Sequence, residues 1–379
     1  MESLRGFATS DLLYRLPYAT FRLSLEPLPI LLKFLLLFQV SALFALLPAI
    51  AMADSLFWVV ATAETEPSPY RGDSVDDVTI WIDDQHPEDS LILATLKASN
   101  QKPVKPTGIL VYDLSGKQIQ FIPGGTPNNI DIRYGFSGID AGSGLVAVSN
   151  WWSNDVYFYQ ADKTGVKRIF DPAPTNLSDL RGICLHRTQD GDIHYFVFAQ
   201  NGHSEQYRLD TLGVSHLVRE FKLATTAEGC VVDDKTGALY VSEERKAIWR
   251  FSTENMENPP IKIFKTSLFG PLRADVEGLA LYTHPDGSGY LIASSQGNST
   301  YLIFDRNHNR LIGRFKVKED TYDTVTGSDG LITTSRALGD QYPAGVFIAQ
   351  DHQNHNDGRL VNQNFKLVDW QNIEVHLTK

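Results

Sequence analysis

The chain has 379 residues, 42% of them hydrophobic and 11% aromatic, which is enough apolar material for a large core and excludes wholesale disorder. Its 34 Lys and Arg against 45 Asp and Glu give a net charge of −11, the opposite sign to a protein that reads a nucleic-acid backbone. Two unclustered Cys exclude both a disulfide scaffold and a thiolate zinc site.

The first segment differs from the rest. Phe34 to Ala51 is 18 residues without a charge, preceded by Arg22 and Lys33 and followed by Ala51-Met52-Ala53, a small-x-small cleavage pattern. Residues 1–53 therefore read as a signal peptide or, if retained, as a membrane anchor, since 18 apolar residues can just span a bilayer. Residues 54–379 form the exported part, periplasmic or extracellular, with 30 basic and 42 acidic side chains. Export would allow Cys184 and Cys230 to pair. Both sit in apolar strand-like runs, so two separately buried thiols are the expectation.

From residue 56 onward there is no long stretch with helical periodicity. Short β-rich runs appear instead, among them Leu56–Thr62, Val78–Ile82, Leu91–Thr95, Gly108–Tyr112, Leu145–Ser149, Tyr195–Ala199, Ala238–Ser242 and Val346–Ala349. Turn clusters such as DLSGK, TQDGD, DDKTG and HPDGS punctuate them. The runs recur in a fixed order, led by residues 77, 131, 181, 228, 277 and 329, at spacings of 54, 50, 47, 49 and 52. A period near 50 with about four strands per unit predicts an all-β, six-bladed β-propeller over 54–379. Leu56–Ala63 would complete the last blade and close the ring.

Equivalent positions of each blade lie on a ring around the channel. That ring would be Asp77, Asp131, Arg181, Glu228, Glu277 and Asp329, with Asp76, Asp275 and Glu244 close by. Carboxylates so placed repel one another by more than about 1 kcal/mol per pair, and a hard cation bound by oxygen alone, Ca²⁺ above others, would relieve this. A single leading acid could equally cap a turn or pair with a base. The ten His are scattered, and His352 and His355 sit in a polar loop. Neither an R-H-G nor a C-x5-R motif is present, so covalent phosphatase chemistry has no support.

The runs DDVTIW, NNIDIRYGF, EQYRL, AEGCVVDD, LYVSEE, AIWRF, DVEGLALY, YLIASSQGNSTY, FIAQD and NQNFKLV, in that order, resemble the β-propeller phytases across residues 56–375. The resemblance implies a calcium-dependent phosphomonoesterase that hydrolyses myo-inositol hexakisphosphate with metal-activated water. It implies active-site calcium ligands at Asp77, Glu228, Glu244, Asp275, Glu277 and Asp329, and structural calcium at Asp351 and Asp323. It also implies a phosphate-binding, catalytic arginine at Arg133. Lys97, Lys102 and Lys105 are the candidate phosphate-binding lysines, in a segment longer than the family's and interrupted by proline. Arg181 stands where the family has a tyrosine, and could hold a phosphate bidentately or pair with a ring acid. Gln200-Asn201, near His203, replaces a Lys-Glu pair.

The implied partner is a small phosphate ester, met by a monomer, with membrane contact only if residues 1–53 are retained. Two other readings fit a calcium propeller. One is a lactonase with a single central metal; the other is a non-catalytic binding module, favoured by the altered Gln200-Asn201 loop. The acid ring together with Arg133 favours phosphate.

Overall fold

The computed structural model describes residues 55–97, 106–255 and 258–377. The expected signal or anchor segment, and Lys102 and Lys105, lie outside the described residues. No helix among the described residues is long and apolar enough to cross a membrane.

Six sheets of four or five strands follow one another along the chain, the blades of a propeller. Their innermost strands are Val75–Trp81, Pro127–Tyr134, Leu180–Arg187, Ala227–Asp233, Val276–Thr283 and Leu331–Thr334. The second strands are buried on both faces, as in Leu91–Leu96 and Gly144–Asn150, and so read as continuous apolar runs rather than alternating ones. Outer strands such as Ser215–Lys222 meet solvent and alternate. Tight turns form where the sequence marks them. In DLSGK, Asp113 Oδ1 accepts hydrogen bonds from the amides of Ser115 and Lys117, and Gly116 takes φ 86°, a left-handed conformation suited to glycine.

The core is not central. It is divided into six apolar clusters, each filling one junction between neighbouring blades. Val78, Ile92 and Leu110 of the first blade, for example, pack on Ile348 and Phe365 of the sixth. A blade therefore has no core without its neighbours. The channel between the innermost strands is lined by apolar and polar side chains alike, Val78, Ile130, Ile183 and Leu279 beside Asp77 and Asn129.

Closure differs from the expectation. Leu56–Val60 runs parallel to Leu311–Lys318 as a fifth strand of the fifth blade, and only Ala63–Glu64 joins the sixth, antiparallel to Asn364–Asp369. The amides of Thr62, Thr65 and Ser68 extend this seam onto Leu367, Phe365 and Gln363 carbonyls at 2.7, 2.9 and 2.8 Å. The run changes blade because both outer edges offer free backbone groups that must be paired.

The cysteine expectation is also corrected. Cys184 and Cys230 form a disulfide between the innermost strands of the third and fourth blades, with Cα atoms 5.9 Å apart. They lie 46 residues apart, close to one repeat, so stacking brings them face to face.

Candidate active site

Each innermost strand of the first five blades slips register near its start, between Val75 and Val78, Pro127 and Ile130, Leu180 and Ile183, Ala227 and Cys230, and Val276 and Leu279. The two residues inside each bulge are Asp76-Asp77, Asn128-Asn129, Arg181-Gly182, Glu228-Gly229 and Glu277-Gly278. Asp329-Gly330 precedes the sixth. Bulges re-aim side chains, and here they turn one residue per blade toward the same mouth. Glycine follows four of them because the next blade's backbone is in the way. A Cβ on Gly182 would lie 2.0 Å from the Glu228 carbonyl oxygen, and one on Gly229 2.1 Å from that of Glu277. Amide-to-carbonyl bonds at 2.9 Å, from Gly278 to Asp329 and from Gly330 to Asp76, lock adjacent blades at this level.

The ring is thus Asp76, Asn128, Arg181, Glu228, Glu277 and Asp329. Two expected members are displaced. Asp77 is the second bulge residue and turns inward, where its Oδ2 accepts hydrogen bonds from Ile130 N at 3.1 Å and Asn129 Nδ2 at 3.2 Å. Burial pushes its carboxyl up to about 8. Asp131 lies further along its strand, accepts from Leu185 N at 2.8 Å and pairs with Arg133 at 3.0 Å.

Arg133 requires the largest correction. Its Nε donates to Asp234 Oδ2 at 2.9 Å and its Nη2 to the Val232 carbonyl at 3.2 Å, at the other end of the fourth blade's innermost strand from Glu228. Five residues of strand separate Arg133 from ring residue Asn128, roughly 16 Å at the usual rise. It belongs to the far mouth of the channel and is held there by two carboxylates.

Around the ring, carboxylates gather in two triads. Oxygens of Glu228, Glu244 and Glu277 lie within 4.8 Å of one another, and so do those of Asp73, Asp76 and Asp329. Charges at that spacing repel by about 3 kcal/mol per pair at an effective dielectric near 20. Burial first, and then mutual repulsion, lifts these acids. Asp76 and Asp329 are pushed up to about 7, Glu244 to about 6, and Glu228 and Glu277 are raised as well. Asn128 bridges the ring, donating to Asp76 Oδ2 at 3.0 Å and touching Glu228, while its own Oδ1 is buried without a hydrogen-bond partner. Gln296 Nε2 donates to Asp329 Oδ1 at 2.5 Å, and Gln350 Oε1 accepts from the Asp329 amide at 3.0 Å. Every donor in both triads is a carboxylate oxygen, with no thiolate or imidazole. Beside an orphaned amide oxygen, such a set fits a hard divalent cation.

Positive groups flank the acids. Lys97 pairs with Asp73 at 3.1 Å and touches Asp76. Arg181 reaches Gln200 Oε1 at 3.4 Å, and its charge acts on Glu228 and Glu244. Asp275 sits at the rim, 3.7 Å from Arg245 Nε. His203 faces Lys222 at 2.9 Å, away from the ring acids.

Asp323 and Asp351 converge elsewhere, on the sixth blade. The fully buried ammonium of Lys366 stands among Glu64 at 2.7 Å, Asp323 at 2.7 Å and Asp351 at 3.2 Å. The Asn354 and Asn364 side-chain oxygens complete the shell at 2.9 and 3.0 Å. The loop histidines lie nearby: His355 N donates to Asp323, and His352 Nδ1 lies 2.9 Å from Gln363.

Sequence reasoning missed Asp73, Asn128 and Gln296. Asn128 could have been found from the paired polar residues at 76-77 and 128-129, which match the position before glycine in the other repeats. Asp73 and Gln296 lie in loops that carry no periodic signal.

A family model described as Phytase matches residues 29–379. A 3-phytase from Bacillus subtilis (strain 168) is 38% identical over 335 residues, covering 85% of this chain and 86% of its own. Solved structures align less closely. A functionally unknown protein from Desulfotomaculum acetoxidans DSM 771 gives a TM-score of 0.44 at 14% identity, over 63% of this chain and 71% of its own. BBS1N in complex with ARL6DN gives 0.46 at 10% identity, over 82% and 98%. By the family match over residues 29–379 and the Bacillus relative that covers 85% of it, this chain belongs to the phytase family.

Proposed function

We propose that this protein is a calcium-dependent phosphomonoesterase that releases phosphate from myo-inositol hexakisphosphate. The observation that carries the reading is the convergence of Glu228, Glu244 and Glu277 oxygens within 4.8 Å at one channel mouth. The 38% identity to a protein named 3-phytase supports the substrate. Glu228, Glu244, Glu277 and Asp329 would hold the active-site cation, with Asp275 completing the shell at the rim. Asp77 would act from beneath by fixing Asn129 and the Ile130 amide rather than as a ligand. Bound calcium would supply positive charge for phosphate oxygens and a water of lowered pKa.

The chain's own groups do the rest. Gln296 and Gln350 fix the Asp329 carboxylate. Asn128 holds Asp76 against Glu228. Arg181 and Lys97 present cationic donors at the mouth, where negative charge grows on a phosphate under attack. The bulges set the spacing, so the cation need not draw the blades together. A chain of net −11 can take a polyanion because local charge, not the total, decides what binds. Asp323 and Asp351 already neutralise the buried ammonium of Lys366, which takes the place a structural cation would fill. Action outside the cytoplasm is supported by the Cys184–Cys230 disulfide.

The test is phosphate release from myo-inositol hexakisphosphate with calcium and with EGTA. Release should fall to background in EGTA and return on adding calcium. Equal release in both would refute the metal's role, and release from neither would refute the activity.

A further inference from the structure

The two carboxylate triads differ in one respect. Among the described residues, no ion pair is recorded for Glu228, Glu244 or Glu277, whereas the Asp73–Asp76–Asp329 triad carries its own cation, Lys97. The Lys97 ammonium lies 3.1 Å from Asp73 Oδ1 and in contact with Asp76 Oδ1, with 13% of its side chain exposed. The charges of Asp76, Asp329, Asp73 and Glu228 outweigh its burial and keep it protonated. Its backbone is fixed at the end of strand Leu91–Leu96 by a bond from Lys97 N to the Ser74 carbonyl at 2.9 Å. The four-carbon stem above that anchor has rotatable bonds through which the ammonium could swing once its ion pairs are broken.

The ammonium stands against Asp73 and Asp76, two of the three aspartates that would hold a divalent cation there, and within the field of the third, Asp329. Both cannot occupy the space, because positive charges a few ångströms apart repel as the carboxylates do. Building on the calcium-dependent reading above, we propose that Lys97 is a tethered counter-ion. A divalent cation entering the Asp73–Asp76–Asp329 triad displaces its ammonium, and the displaced ammonium binds a phosphate of the substrate.

Lys97 is a positioning residue for both charges. Displacing it weakens cation binding while no anion is present to receive the ammonium. An anion at the mouth removes that cost. Cation and phosphate therefore bind this triad cooperatively, and by linkage each tightens the other by the same factor. The glutamate triad has no ammonium paired with its oxygens, so it loads first.

The experiment is calorimetric titration of the full chain with calcium, alone and with saturating myo-inositol hexasulfate, a hexa-anion that a phosphomonoesterase does not hydrolyse. The wild type should show a strong class and a weaker class, and the weaker should tighten about tenfold with the anion, within the usual range of coupling between sites. In Lys97→Met the weaker class should tighten about tenfold without anion, and the coupling should vanish. Lys97→Arg should retain the coupling. Far-UV circular dichroism checks that the variants are folded. If they are not, the wild type still decides, because a weaker class unmoved by the anion overturns the proposal. Unchanged or weakened calcium binding in folded Lys97→Met overturns it too. A wild type that binds no calcium defeats the reading beneath it, which is a different result from calcium binding that ignores Lys97.

Discussion

Removing the cross-link between the third and fourth blades is the perturbation whose size follows most directly from the geometry. Cys184 lies three residues after ring residue Arg181, and Cys230 two after Glu228, so the bond ties the walls that carry both. It closes a loop of 46 residues. The chain-entropy relation gives about 4 kcal/mol at 25 °C for a loop of that length. Unfolding entropy of about 2.1 cal/mol/K per residue, over roughly 320 residues of propeller, amounts to about 0.7 kcal/mol/K. The double variant Cys184→Ala/Cys230→Ala should therefore melt about 6 °C below the wild type. Scanning calorimetry in excess calcium is the assay, with thiol titration of unfolded, unreduced wild type as the control. Two titratable thiols in that control, or equal melting temperatures, would refute the reasoning.

Three other outcomes are expected. Glu228→Gln should lower turnover of myo-inositol hexakisphosphate at least about 100-fold while leaving far-UV circular dichroism unchanged; retained turnover would remove Glu228 from the site. Arg133→Ala should leave KM within about twofold and lower stability by about 3 kcal/mol in denaturant melts, because Asp131 and Asp234 lose their shared cation; a large KM effect would return Arg133 to the phosphate site. In EGTA, stability should fall as pH rises from 5 to 8. Asp76 and Asp329 at about 7 and Glu244 at about 6 hold protons in the folded state that the unfolded chain has released, and each aspartate contributes at most on the order of 4 kcal/mol. Calcium should abolish that slope, and a melting temperature that climbs with pH in EGTA would contradict it.

The propeller was legible because its repeat is long, regular and marked by turn residues at fixed offsets. Blade number and strand content follow from that period alone. Register within a strand is a finer matter. Asp77 and Asp131 are acids near the start of their repeats, but the bulge turns Asp76, one residue before Asp77, and Asn128, three before Asp131, to the mouth. Position along a strand was the other weak point. Arg133 and Asn128 are five apart in sequence, yet a strand carries those five residues from one mouth of the channel to the other. The disulfide had a usable signal. Its cysteines are 46 apart, nearly the 47 between leading residues 181 and 228, and residues one period apart face each other across a blade junction. Lys97 was legible as a lysine near the site but not as a partner of Asp73, since no pattern links a loop acid to the end of a strand.

The N-terminal seam has a consequence for how the molecule is made. Ala63–Glu64 pairs only with Asn364–Asp369, about three hundred residues later, and Leu56–Val60 with Leu311–Lys318. A chain emerging from the ribosome can stack blades one by one, but the earliest strands have no sheet partner until the fifth and sixth blades have been synthesised. Contacts of such sequence separation are slow to form. Throughout elongation the propeller stays an open arc, and the ring closes only when the last strand of the sixth blade meets Ala63–Glu64.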